Sequence, residues 1–141
     1  MKFMMIVKAN KDSEAGKMPS KELLASMGKY NEELMKAGVL VDLAGLHPSS
    51  RGFRVKFAQG KRTVIDGPFA ETKELIAGFW IINVKSREEA MDWAKRVPDP
   101  FGTDEEAFIE VRQFFELTEF EPSAAVDRGR ELEAKLEKQK K

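Results

Sequence analysis

Gly78-Phe79-Trp80-Ile81-Ile82-Asn83-Val84 is the most apolar run in the 141-residue chain, and its reading decides the fold. Apolar residues fall on both alternating faces, so a strand here needs cover on each side and belongs in the middle of a sheet. Phe3 to Val7 has the same two-sided character and reads as a second covered strand. Downstream, Ser86 and Glu89 make the Ser-x-x-Glu pattern that opens a helix. Ala90, Trp93, Ala94 and Val97 share one face of that helix, and Pro98 and Pro100 stop it.

Upstream, Leu23, Leu24, Met27, Tyr30, Leu34 and Met35 recur at helical spacing between Ser20 and Lys36. Gly38 stands where a left-handed residue ends a helix. Asn10 to Lys17 is polar, contains Gly16, and reads as a loop. Val39 to Leu46 reads as a strand closed by His47-Pro48-Ser49-Ser50. Phe53, Val55 and Phe57 alternate with Arg54 and Lys56; the turn Gln59-Gly60-Lys61 then returns the chain through Thr63-Val64-Ile65, so a hairpin is expected. Asp66-Gly67-Pro68 breaks the chain sharply. Phe108 to Leu117 reads as a last long strand. The order is strand, helix, strand, hairpin, strand, helix, strand. It predicts an α+β sandwich with a mostly antiparallel sheet and two helices on one face.

Helices on one face leave the other bare. The two-sided strands supply apolar residues to both, and a second copy of the chain is the simplest cover. A homodimer is therefore expected. Pro122 to Lys141 is charged, with Val126, Leu132 and Leu136 as its large aliphatics. This predicts two parts: an α+β domain over 1–120 and a charged, helical tail over 121–141.

Composition narrows the function classes. Lysine plus arginine number 24, as do aspartate plus glutamate. With no basic excess to neutralise phosphates, nucleic acid is not an expected partner. No cysteine is present, which removes disulfides, thiol nucleophiles and thiolate metal sites. His47 is the one histidine, so one subunit holds no multi-histidine metal site; a carboxylate and water site for magnesium or calcium stays open, but no calcium-loop spacing occurs, and no metal or cofactor is expected. The opening apolar run is too short for an export signal or a membrane span, which makes the cytoplasm the expected location and excludes a membrane partner.

The stretch Thr63-Val64-Ile65-Asp66-Gly67-Pro68-Phe69-Ala70-Glu71-Thr72-Lys73-Glu74 resembles the signature of DGPF-type members of the YciI-like (YCII-related) family. Lys36-Ala37-Gly38-Val39-Leu40, Gly45-Leu46-His47-Pro48, Ala77-Gly78-Phe79-Trp80 and Glu110-Val111-Arg112 extend the likeness from about Lys2 to Phe120. The resemblance implies a ferredoxin-like sandwich that pairs as a dimeric α+β barrel, two sheets face to face. In YciI-type relatives a histidine–aspartate site has been proposed with its histidine on the first helix. Ser26, Met27, Gly28, Lys29 and Tyr30 occupy that region here, so the resemblance does not carry that site over. Neighbouring genes for alternative sigma factors in the family imply a regulatory context.

Asp66 is the first candidate for a functional carboxylate, because it ends a strand beside a Gly-Pro turn. Holding that turn is the competing role. His47 ends another strand and is the side chain suited to proton transfer near neutral pH. Glu71, Thr72 and Lys73 offer acid, hydroxyl and ammonium groups to a small polar ligand, and Arg54 could bind an anion; as ordinary surface residues they would simply be solvated. Gly67 and Pro68 read as structural. The leading reading is a small-molecule-binding domain capable of cofactor-free acid–base chemistry through Asp66 and His47. Its rival is a non-catalytic regulatory or protein-interaction module.

Overall fold

A computed structural model describes residues 1–102 and 105–140. Strand β1 (Lys2–Lys8) pairs antiparallel with β5 (Ile76–Asn83), which holds the decisive apolar run. On the other side of β1 lies β6 (Ile109–Gln113), and β2 (Leu40–Gly45) closes the far edge against β5. The sheet order is β2-β5-β1-β6, with every neighbouring pair antiparallel. The central strand expected over residues 78–84 is found over Ile76–Asn83, starting two residues earlier and ending before Val84. Among the described residues a second sheet consists of β3 (Phe53–Ala58) and β4 (Lys61–Asp66), inserted in the chain between β2 and β5.

Among the described residues four helices complete an α+β architecture: α1 (Lys11–Glu14), α2 (Lys21–Lys36), α3 (Arg87–Lys95) and α4 (Ala124–Gln139). Ser20 caps α2 by accepting from the Leu23 N–H, and Ser86 caps α3 by accepting from the Glu89 N–H. The reciprocal bond expected at Ser86 falls one residue earlier, where Glu89 accepts from the Lys85 N–H. Gly38 has the positive φ of 73° that ends α2.

Register explains the core. Phe3 lies opposite Ile82 and Met5 opposite Trp80, so all four share one face. Tyr30 and Leu34 from α2, with Ala90 and Trp93 from α3, cover that face. Met5, Leu34 and Ile82 are fully buried, each contributing about 1.5–3 kcal/mol by leaving water. The Tyr30 hydroxyl donates to the Trp93 carbonyl at 2.7 Å, and the Trp80 indole N–H donates to Asn31 Oδ1 at 2.7 Å. An Arg96–Glu33 ion pair at 2.9 Å ties the end of α3 to α2. Met4, Ile6, Phe79 and Ile81 point the other way, where neither α2 nor α3 reaches, and stand half-buried. The strand order is compatible with the ferredoxin-like sandwich.

Three expectations need correction. The loop expected over Asn10–Lys17 contains the one-turn helix α1, held by a capping box in which Asn10 and Ser13 bond reciprocally. The last strand ends at Gln113 rather than Leu117, because its partner β1 begins at Lys2 and offers no further ladder. Beyond it the chain makes a 3-10 turn over Leu117–Glu119. The strand expected from Val39 to Leu46 is one residue shorter at each end, Leu40–Gly45. Of the charged tail, α4 is an exposed helix that meets the body through Gly129 against Leu117. Lys141 lies outside the described residues.

Candidate functional site

Two loops meet at the root of the hairpin. One follows β2 and runs from Leu46 to Gly52; the other follows β4 and begins Gly67-Pro68-Phe69. The Gly67 N–H donates to the Gly52 carbonyl at 2.9 Å, and the Phe69 N–H donates to Ser49 Oγ at 3.0 Å. From below, Glu14 of α1 accepts from the Ser49 N–H at 2.9 Å and from the Ser49 hydroxyl. A carboxylate thus fixes a serine, and the serine fixes the Asp66-Gly67-Pro68-Phe69 turn. The packing admits only glycine at 67, since a Cβ there would lie 1.8 Å from the Ser49 carbonyl oxygen. Gly67 and Pro68 are joined by a cis peptide bond.

Around this junction stand the candidate side chains. Asp66 ends β4 opposite Phe53 and is exposed. His47 is exposed as well, and an Arg51 guanidinium nitrogen lies 3.1 Å from its Nε2 and 3.3 Å from its Nδ1. A contact that reaches both ring nitrogens places the cation over the ring as much as on one lone pair. Among the described residues no hydrogen bond or ion pair joins His47 to Asp66. Arg54 places its guanidinium 3.7 Å from the Phe69 ring centroid, so it braces the turn by a cation–π contact while keeping its charge at the surface. Glu71 and Lys73 are exposed and Thr72 half-buried, Thr72 and Lys73 lying in a 3-10 turn over Thr72–Glu74 and Glu71 just ahead of it. That turn packs on β1.

Glu14 and Ser49 were invisible to sequence reasoning as partners. Their contact spans 35 positions, and neither lies in a motif. Ser49 is no free nucleophile: its oxygen is engaged from both sides.

A separate groove of about 380 Å³ opens between α3 and the edge strand β6. Phe3, Ala90, Ala94 and Val111 form its apolar floor, with Arg87 and Lys95 at its margin. Among the described residues no three His, Asp or Glu side chains gather as a metal cluster, and no helix is long and apolar enough to cross a membrane.

A family model described as the YCII-related domain matches residues 1–118. The chain belongs to the YCII-related domain family. The match ends just short of α4, so in this YCII-related domain the tail helix lies outside the family's common part. The protein is also similar to the uncharacterized protein R00369 of Rhizobium meliloti (strain 1021), with 33% identity over 79 residues. That match covers 56% of this chain and 64% of the relative, so the chain spans less than two thirds of the curated protein it resembles.

Proposed function

We propose that this YCII-related domain is a cytoplasmic, homodimeric small-molecule-binding protein whose ligand site is the loop junction at the hairpin root. Two of its sheets pack face to face as a dimeric α+β barrel, with Met4, Ile6, Phe79 and Ile81 at the shared face. One observation carries the site: the Glu14–Ser49–Phe69 clamp holds two loops rigidly while His47, Arg51, Arg54 and Asp66 remain on the solvent side around it. Preorganised backbone with exposed charge suits a small polar ligand, and the two arginines favour an anionic one. Asp66 and His47 supply acid–base capacity once a ligand bridges them.

The test begins with a thermal-shift screen of small carboxylates and phosphates, since a ligand bound only by the folded state raises its apparent stability. Asp66→Asn and His47→Gln keep polarity and remove charge or titration. Each should weaken binding or turnover, and the double variant should be little worse than the poorer single one. Wild-type affinity in both variants would remove these residues from the site. The second reading, a non-catalytic regulatory or interaction module, draws support from the apolar strip on the hairpin. It predicts that Asp66→Asn leaves partner binding intact.

A further inference from the structure

Helix α3 is lopsided where it meets the sheet. It turns Trp93 toward Tyr30 of α2, with ring centroids 6.2 Å apart, and two alanines, Ala90 and Ala94, toward the edge strand β6. Two methyl groups do not fill the space that larger side chains would, and the groove of about 380 Å³ is what remains. Register puts Val111 opposite Met5 and Ile109 opposite Val7, so both point to the helix-covered face and line the groove with Phe3. Its floor is sealed: Phe3 is 3% and Ala90 1% exposed.

The rim has one sign of charge. Arg87, Met91 and Lys95 follow one another a turn apart on α3 and form the outer wall. The two cations are therefore about 12 Å apart along the helix axis. Both are exposed, and among the described residues neither belongs to an ion pair. No described carboxylate lines the groove. Glu110 alternates to the other face of β6, where it meets Arg112 at 3.6 Å.

We propose that the α3–β6 groove binds a medium-chain acyl carboxylate. The chain lies on Phe3, Ala90, Ala94 and Val111, and the carboxylate pairs with Arg87, whose planar fork takes both oxygens. Lys95 closes the far end with its aliphatic stem and keeps its ammonium in water. The volume lies in the range of small-molecule sites, where apolar walls supply burial and a few charged groups set orientation. This site does not depend on the loop junction, which follows β2 at the other edge of the sheet. It also opens on the α3 side, away from the face given to the dimer.

Calorimetric titration of the full chain with octanoate tests the groove. Wild type should bind one octanoate per chain. Octanol, which lacks the charge, and acetate, which lacks the chain, should each bind at least about tenfold more weakly. Arg87→Gln should also lose about tenfold, and Lys95→Gln much less. Met91→Glu sets a like charge on the rim and should abolish binding, whereas Met91→Leu should keep it. All three positions are exposed, so circular dichroism of each variant should match wild type. No saturable binding of octanoate, or wild-type affinity in both Arg87→Gln and Met91→Glu, would overturn the proposal. Affinity that falls as protein concentration rises would give the groove to a second copy and overturn it as well. The loop-junction reading rests on Asp66 and His47 and stands or falls apart from these results.

Discussion

The four-stranded sheet and the two-stranded hairpin are built from similar residues, yet only one of them has an interior. Phe3, Met5, Trp80 and Ile82 are buried, while Phe53, Val55, Phe57 and Val64 stay in water. Both stretches alternate or cluster apolar residues in strand-forming patterns. What differs is the second layer. The sheet has α2 and α3 across its face; among the described residues the hairpin is fastened at its root, through Ser49, Gly52 and Gly67. Hydrophobicity therefore marks which surfaces need cover, and topology decides whether one chain can provide it.

The comparison breaks most sharply at Leu34, which is fully buried. Leu34→Ala should cost about 2–5 kcal/mol in denaturant unfolding, through lost transfer energy and the cavity left behind. Phe57→Ala on the hairpin, where the ring is exposed, should leave the unfolding of the four-stranded body almost unchanged. Equal losses from both in one cooperative transition would show that the hairpin already belongs to the core.

Gly67→Ala attacks the fastening at the hairpin root. The added methyl meets the Ser49 backbone, so the loops must part at a cost of about 1–3 kcal/mol. Chemical denaturation should report that loss, together with faster exchange of the Phe69 amide. An unchanged midpoint would show that the clamp yields freely.

Tyr30→Phe sharpens the other side of the contrast. It removes the bond to the Trp93 carbonyl and should cost about 1 kcal/mol at neutral pH. Burial raises the Tyr30 phenol above its ordinary 10.0. The folded chain therefore keeps this proton after the unfolded chain has lost it. Stability from the group is full below pH 10 and declines as pH rises beyond it. The Phe variant should lack that part of the alkaline decline, measurable by denaturant titration between neutral and alkaline pH.

The smallest effect is expected at the tail. Since α4 meets the body through Gly129 and Leu117, deleting residues 123–141 should shift unfolding by no more than about 0.5 kcal/mol. Insoluble protein after the deletion would show that the helix completes the core or the dimer.

Much of the body was legible in the sequence because its signals are local. Tyr30 and Leu34 sit at helical spacing, Gly38 ends the helix, Ser86 opens the next, and Gln59-Gly60 turns the hairpin. The strand β6 was overread because its length is set by where β1 starts, which no residue of β6 records. Helix α1 was missed since its polar residues show no apolar stripe, although the Asn10 and Ser13 pair was there to be read. At the candidate site, the sequence located His47 and Asp66 at strand ends. It could not show that Arg51, four residues on, occupies the His47 ring, or that a distant Glu14 anchors the turn through Ser49. Those contacts arise from chain crossings.

Light scattering across a dilution series tests most directly whether a second copy covers the sheet face that α2 and α3 leave bare. At micromolar protein the mass should be about twice the 16.0 kDa of one chain, and Phe79→Asp, which puts a charge on that face, should lower it to a single chain. A single-chain mass for the wild-type protein at micromolar concentration would contradict the account.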